Sequence, residues 1–273
     1  MEAQYSHIVW SNRLSEPVYS SRIIKASALI ADTKILLAEW DLSLSVEENM
    51  NLARQENIFG KTSRKRVENI LNIFRQRYWD DPEVGATLVK MIQDAAPTQW
   101  VDPLLYFFSA QNDRTLRDAV TEILYPRHQM GYIDVPTDVF QRGIRSWVAE
   151  EKTTTAWNDE TIERVAQGIA ATLRDFGVLE GAVNKRLSPF LLPNHAFALI
   201  AFWLHQREKN GQLTLHSDDW KLFFLPVDGV ERFFIEAHQM HLLTYHAAGS
   251  IIRIEFPATT LSEYAHVLLE RTH

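Results

Sequence analysis

The sequence has 273 residues, of which 46% are hydrophobic and 23% are charged, and its formal net charge is −7 at pH 7. This length fits one large domain or two ordinary ones, and the composition is typical of a soluble globular protein. The absence of cysteine excludes disulfides, thiolate metal sites and cysteine nucleophiles. The N-terminus lacks a secretory signal, and the longest strongly apolar run, about residues 196–204, is too short to span a bilayer. We therefore expect a cytoplasmic protein that makes no membrane contact.

Helical patterns dominate the first half of the chain, after an irregular arm expected over residues 1–20. Ser45 and Glu48 form a capping box at the start of one helix. Asp81 followed by Pro82 starts another, since proline is favoured at the first helical position. The predicted helices span about residues 20–39, 45–55, 63–78, 81–96, 100–110, 114–125 and 137–148.

The predicted helix over residues 63–78 contains an unusual concentration of positive charge. Residues 61–77 contain six cations against the single acid Glu68, a net charge of +5. Three of the cations fall in the first turn, where the helix dipole disfavours positive charge. Thr62 or Ser63 can cap this turn with its hydroxyl. Cations, a hydroxyl and free N–H groups at a helix start suit a bound anion such as phosphate.

The alternative is a solvated helix whose cations pair with acidic neighbours. Glu47, Glu48 and Glu56 precede the basic segment closely enough in sequence to supply such partners. The sequence does not decide between paired and phosphate-binding cations.

The polar segment 150–155 predicts a boundary between two domains, residues 1–150 and 151–273. Beyond it, two segments, 242–245 and 251–256, are predicted to form a β-hairpin. The predicted helices of this half span about residues 159–176, 193–208, 217–225, 230–239 and 261–271. A winged-helix domain has the same order of elements, helices followed by a β-hairpin. The predicted fold class is mainly α, an N-terminal helical bundle followed by a winged-helix-like α domain with a small β-hairpin.

Two further groups in the second half bear on function. Lys185 and Arg186, in a predicted loop, are a possible second nucleic-acid contact. His238, His241 and His246 lie close in sequence but match no known metal motif, so no metal and no other cofactor is expected. The phosphate-binding, dinucleotide-binding, zinc-protease and serine-hydrolase motifs are missing, so we expect neither an enzyme nor a small-molecule substrate.

With these elements placed, the chain resembles the BrxA family of bacterial BREX phage-defence systems. The resemblance lies chiefly in residues 21–27 and 49–78, and more weakly in residues 157–179. It implies a helical fold compared with the antitermination protein NusB, double-stranded DNA binding, and other BREX proteins as partners. The positions of the family-like segment that it carries into the site are Asn57, Ser63, Arg64, Arg66, Arg75 and Arg77.

The sequence and the resemblance together predict a non-catalytic, double-stranded DNA-binding accessory component of a BREX-type system. Its basic helix is expected to contact the phosphate backbone. The alternatives are a protein-interaction scaffold of the defence complex and a NusB-like RNA-binding protein. The residues predicted to contact nucleic acid are Lys61, Ser63, Arg64, Lys65, Arg66, Arg75 and Arg77.

Overall fold

The computed structural model describes residues 19–271 except Ala26, Thr137 and Ser250. The arm expected over residues 1–20 therefore lies almost entirely outside the described residues. The described chain is mainly helical, with two small antiparallel sheets, and the predicted mainly α class is confirmed.

Apart from residues 20–39 and 114–129, the helices of the first half follow the predicted order. A 3₁₀ helix, Ser21–Lys25, precedes them, and the short strand β1 (Asp134–Val135) interrupts them. A π-helical turn, Ala119–Leu124, joins α6 to α7. The helices are α1 (Ile30–Ala38), α2 (Val46–Gln55), α3 (Arg64–Tyr78), α4 (Pro82–Gln93), α5 (Thr98–Asn112), α6 (Arg114–Asp118), α7 (Tyr125–Gln129) and α8 (Asp138–Ala149).

Hydrogen bonds confirm the helix starts predicted for α2 and α4. Ser45 Oγ accepts from the N–H of Glu48 at 3.2 Å, and the Glu48 carboxylate accepts from the N–H of Ser45 at 2.8 Å. The Asp81 carboxylate accepts from the N–H of Glu83 at 3.1 Å. These bonds satisfy backbone donors that a helix start leaves without partners, which explains why the local sequence predicted both positions.

The single helix predicted over residues 20–39 is wrong. The chain forms the 3₁₀ helix, leaves helical geometry, and starts α1 only at Ile30. Leu29 has a φ of 55°, in the left-handed region, so a continuous right-handed helix cannot pass through it. The carbonyl groups of Ser27 and Ala28 accept hydrogen bonds from Arg77 of α3, so a tertiary contact holds this interruption.

The second half adds helices around two short sheets. Another 3₁₀ helix, Asp218–Phe223, lies between α11 and α12. The remaining elements are α9 (Asp159–Asp175), β2 (Leu179–Glu180), β3 (Lys185–Leu187), α10 (Asn194–Glu208), α11 (Gly211–Leu215), α12 (Val227–Gln239), β4 (Thr244–Ala248), β5 (Ile251–Glu255) and α13 (Leu261–Glu270).

The predicted β-hairpin is confirmed as β4 and β5, which pair antiparallel from Thr244 opposite Glu255 to Ala248 opposite Ile251. The winged-helix-like character of this region stays a prediction. The second sheet, in the order β1-β3-β2, was not predicted. Its strands have only two or three residues, too few to show an alternating pattern in the sequence.

Helices α5 and α10 lie in the middle of the core. Both contain long buried apolar runs, as expected for helices covered on all sides. Their aromatic side chains meet, with Phe107 and Trp203 edge to face at 5.4 Å. The hydroxyl of Tyr106 donates to the Leu222 carbonyl at 3.1 Å, so the segment after α11 is tied to α5.

The chain segments on either side of residue 150 share one hydrophobic core. Strand β1 pairs with β3, and α9 packs on the 3₁₀ helix Ser21–Lys25. Helix α13 packs on α4, where the N–H of Leu261 donates to the Glu83 carboxylate at 2.7 Å. Elements of the predicted domains 1–150 and 151–273 therefore pack against one another, and the division at residue 150 stays a prediction.

Candidate nucleic-acid interface

Helix α3 turns one face to the core and the opposite face to solvent. Val67, Ile70 and Phe74 are buried at helical spacing, and the helix packs on α5. Near the end of α3, the hydroxyl of Tyr78 lies 2.8 Å from Ser109 Oγ of α5. Because the buried face is held along its length, the polar residues of the other face have fixed positions on the surface.

Three consecutive cations form the first turn of α3. Arg64 and Lys65 are exposed and Arg66 is half-buried. Within the described part of the chain, none of the three forms an ion pair. Ser63 occupies the predicted N-cap position, but its hydroxyl accepts no hydrogen bond from the first turn. The Ser63 hydroxyl and the three cations are therefore available to phosphates near this helix start.

Glu68, the acid among these cations, is paired with α2. Its carboxylate oxygen Oε1 lies 2.9 Å from Arg54 Nε, and Arg54 Nη1 lies 3.3 Å from Glu47. The hydrogen bond to Glu68 raises the pKa of the Arg54 guanidinium. This pairing reduces the repulsion that Glu68 would exert on a phosphate near the first turn of α3.

Asn57 shapes the loop that leads into α3. Its side-chain oxygen accepts from the N–H of Lys61 and its amide nitrogen donates to the Lys61 carbonyl, each at 3.1 Å. Gly60 has a φ of 60°, a conformation that glycine adopts without strain. Asn57, which the resemblance placed among the site residues, thus orients the start of α3 by holding this loop.

Lys61 and Arg75 have acidic neighbours, but to different degrees. Lys61 Nζ lies 3.0 Å from Asp32 Oδ1 of α1, a carboxylate that is largely buried. The Arg75 side chain is 62% exposed, and its Nη1 lies 4.0 Å from the Glu47 carboxylate, a long distance for an ion pair. A surface pair at this distance contributes at most about 1 kcal/mol, so Arg75 remains available to an anion whereas Lys61 is partly neutralised.

Arg77 does not belong to the exposed basic surface, and its predicted phosphate contact is wrong. Its side chain is only 4% exposed. Nη1 donates to the carbonyl groups of Ser27 at 3.0 Å and Ala28 at 2.9 Å. The guanidinium therefore holds the segment before α1. The sequence contained the signal, because Arg77 follows Ile70 and Phe74 at the spacing of the buried stripe.

Lys185 and Arg186 lie on β3 and not in a loop as predicted. Lys185 Nζ donates to the Ala182 carbonyl at 3.1 Å, and Arg186 forms an ion pair with Glu180 on β2. The second contact predicted at these residues stays a prediction. Because Arg186 pairs with Glu180, these two residues offer less unpaired positive charge than the first turn of α3.

Two cations that the sequence did not assign to the site lie beside α3. Arg22 and Lys25 are exposed on the 3₁₀ helix, and with Arg75 they line a cleft of about 510 Å³. Arg22 Nη1 lies 3.4 Å from Gln76 Oε1 of α3. Residues 21–27 belong to the segment that resembles the family, but only the tertiary packing of the 3₁₀ helix brings their cations to α3.

A family model for BrxA matches residues 17–202, more than half of the sequence. The chain belongs to the BrxA family. The matched residues include the 3₁₀ helix, all of α3 and the loop that Asn57 holds. Membership of this family makes the chain a component of a BREX phage-defence system.

The fold of this BrxA-family chain is similar to a crystal structure of an uncharacterized protein from Magnetospirillum magneticum. The TM-score is 0.59 at 16% sequence identity, over 76% of this chain and 98% of that chain. At this identity the similarity shows the fold alone. No curated protein matches the chain.

The described residues of this BrxA-family chain contain neither a membrane-spanning helix nor a metal-like group of side chains. No helix there is both long and apolar enough to cross a membrane. No three histidine, aspartate or glutamate side chains in the same residues are grouped as they would be around a metal ion. The rings of His238 and His246 lie 5.7 Å apart, on α12 and β4.

Proposed function

We propose that this protein binds double-stranded DNA as a non-catalytic component of its defence system. The basic surface of α3 would contact the phosphate backbone. We define this surface as Lys61, Ser63, Arg64, Lys65, Arg66 and Arg75. The observation that carries the proposal is the run of three cations in the first turn without ion-pair partners among the described residues. The proposal places the protein in the cytoplasm, together with other BREX proteins.

Attraction of a phosphate to α3 depends on the local field and not on the total charge of the chain. The chain is −7 overall, whereas residues 61–77 have a net charge of +5. Arg77 is buried, Lys61 and Arg54 have acidic partners, and the first turn of α3 keeps its charge. A phosphate responds mainly to charges within about one Debye length, roughly 8 Å at physiological salt. A basic island on an acidic protein can therefore attract DNA.

Contacts of this kind give affinity with little choice of base sequence. Cations and helix N-termini that meet phosphates set the position of a protein on the duplex but carry no base information. Three neutralised phosphates give a slope of about −3 in a plot of log affinity against log salt concentration. The expected behaviour is binding to many duplex sequences alike, with affinity that falls as salt rises.

The experiment measures binding of the purified chain to a short labelled duplex over a salt series. The test variant is Arg64→Glu/Lys65→Glu/Arg66→Glu. The matched control reverses three exposed arginines elsewhere, Arg142, Arg145 and Arg174, with the same change in total charge. We expect the test variant to lose roughly tenfold or more in affinity for every duplex, and the control to lose much less.

Equal affinity of the test variant and the native chain would exclude this surface as the DNA contact. No duplex binding by the native chain at low salt would overturn the function itself. In that case, capture of other BREX proteins by the basic surface would support the scaffold alternative. Stronger competition by RNA than by duplex DNA would support the RNA alternative that the comparison with NusB suggests.

A further inference from the structure

The cleft between the 3₁₀ helix Ser21–Lys25 and the last turns of α3 has the size of a ligand site. Its volume is about 510 Å³, within the range of small-molecule pockets. We call it the α3 cleft. Only Arg75 is shared with the basic surface, so the α3 cleft is a distinct place on the molecule.

Three cations from two elements line the α3 cleft. They are Arg22 and Lys25 of the 3₁₀ helix and Arg75 of α3, and Asp80 also lines the cleft, which leaves a net charge of +2. In the described residues, neither Arg22 nor Lys25 has an ion-pair partner. Two arginines and a lysine around one cleft can bind a phosphate through several charge-assisted hydrogen bonds.

Arg22 is held in place across the cleft. Its Nη1 lies 3.4 Å from Gln76 Oε1, and Gln76 Nε2 donates to the Asn112 carbonyl at the end of α5 at 3.3 Å. Gln76 thus connects the 3₁₀ helix, α3 and α5. These contacts place the Arg22 guanidinium beside α3, among the residues that line the cleft.

Two amide side chains line the same cleft on α3. Asn69 and Asn72 are three residues apart, so they lie on one face of the helix. Neither side chain makes a hydrogen bond within the described part of the chain. A free asparagine amide offers two donors and an acceptor, which match the polar edge of a nucleobase.

The apolar part of the cleft is rigid. Trp79 lines it with its ring 4.1 Å from that of Trp40. Behind Trp79 lies Gly85 of α4, where an added Cβ would come within 2.5 Å of the indole. The indole is therefore confined between Trp40 and the backbone of α4. Ile73 adds an aliphatic surface, so the lining combines cations, free amides and a fixed apolar wall.

We propose that the α3 cleft binds a nucleotide, with its phosphate on Arg22, Lys25 and Arg75 and its base on Asn69 and Asn72. The nucleotide can be free in solution or an unpaired nucleotide at the end of a DNA strand. Both sources present the same phosphate and base. The proposal goes beyond the duplex contact, which uses the basic surface and shares only Arg75 with the cleft.

Isothermal titration of the full chain with a nucleoside 5′-monophosphate tests the proposal, with the nucleoside alone and inorganic phosphate as comparisons. We expect Arg22→Ala/Lys25→Ala to weaken nucleotide binding by roughly tenfold or more, since two charge-assisted contacts are lost. Asn69→Ala/Asn72→Ala is expected to bring nucleotide affinity down to that of inorganic phosphate. A thermal melt of each variant confirms that it is folded.

The first-turn variant Arg64→Glu/Lys65→Glu/Arg66→Glu separates this site from the duplex contact. It should lose duplex binding and keep nucleotide binding. Tighter binding of a duplex with an unpaired terminal nucleotide than of a blunt duplex, relieved by free nucleotide, would assign the ligand to a DNA strand. Equal binding of the two duplexes, with nucleotide binding intact, would assign it to the free nucleotide.

Two results would overturn the proposal whatever the duplex result. One is the absence of binding heat with the nucleotide for the native chain. The other is unchanged nucleotide affinity in Arg22→Ala/Lys25→Ala. Native affinity for inorganic phosphate equal to that for the nucleotide would overturn the assignment of the base to the two asparagines.

Discussion

The Nη1 atom of Arg77 lies 2.9 Å from the carbonyl oxygen of Ala28, within the irregular segment that separates the 3₁₀ helix from α1. The same atom also donates to the Ser27 carbonyl. Buried carbonyl groups outside regular structure need such donors, because water cannot reach them. The contact places a cation of the basic helix inside the protein and lets the 3₁₀ helix lie beside α3.

Replacing Arg77 should affect stability and leave DNA affinity intact. Arg77→Ala removes the donor to two carbonyl groups, and we expect the free energy of unfolding to fall by about 2–4 kcal/mol. Arg75→Ala, on the exposed face, should change it by less than about 0.5 kcal/mol. Denaturant unfolding measures both values. Weaker duplex binding by folded Arg77→Ala than by Arg75→Ala would mean that Arg77 does contribute to the DNA contact.

Removing the acid of α3 should strengthen DNA binding. Glu68→Gln eliminates a negative charge near the first turn and frees Arg54, whose guanidinium is 2.9 Å from that carboxylate. We expect duplex affinity at low salt to rise by roughly twofold to tenfold, with a steeper salt dependence. Glu160→Gln, an exposed acid on α9, is the control for the change in total charge. Equal gains in both variants would point to total charge and not to this surface.

Two half-buried histidines should make stability depend on pH. Burial lowers the pKa of His195, which stacks on Trp100 at 4.0 Å, and of His205. The folded state therefore favours the neutral imidazoles, and the unfolded state binds more protons once the pH falls below about 6.5. Their contribution to stability is full above that pH and declines as the pH falls, until both histidines also titrate in the folded state.

Thermal melts at a series of pH values measure this dependence. We expect His195→Gln/His205→Gln to reduce the loss of Tm on acidification. His216→Gln, at an exposed position, is the control and should melt with the native pH dependence. If Tm of the double variant falls with pH as steeply as Tm of the native chain, other groups cause the acid sensitivity.

Gly168 of α9 should control the position of the 3₁₀ helix. A Cβ at this position would lie 3.0 Å from the Ile23 carbonyl oxygen. The backbone of α9 at Gly168 therefore lies so close to the 3₁₀ helix that a branched side chain has no space. Gly168→Val should displace Arg22 and Lys25 and weaken nucleotide binding several-fold, whereas duplex binding by the first turn stays near native. Ala171→Val, on the same helix, is the control for an added β-branched residue. Native nucleotide affinity in Gly168→Val would mean that this contact does not position the cleft.

Local signals in the sequence predicted most of the long helices and the β-hairpin but not the contacts between them. The bounds of α3 follow from the apolar stripe and the N-cap position at Ser63, which depend only on neighbouring residues. The pairing of Lys61 with Asp32 joins residues far apart in sequence, so no local pattern indicates it. Arg77 was a different case, because its helical position favoured burial while its charge suggested exposure. The desolvated carbonyl groups near α1 decided the outcome.

The α3 cleft was missed for a related reason. The prediction placed residues 20–39 on one regular helix, which gave Arg22 and Lys25 no defined relation to α3. The left-handed turn at Leu29 and the close contact at Gly168 set that relation, and both depend on tertiary packing. Charge counted along the sequence therefore identified the first turn of α3 and overlooked the second group of cations.

The shared core on both sides of residue 150 makes the two halves complementary fragments. A protease nick in the exposed loop at residues 155–156 would break one covalent bond while β1 remains paired with β3 and α13 remains packed on α4. The nicked chain would stay one particle in a native gel and come apart only in denaturant. Each fragment expressed alone would present an uncovered apolar face, and co-expression would restore solubility. Two fragments divided at this loop would therefore associate when they fold, and their association would report that the fold has formed.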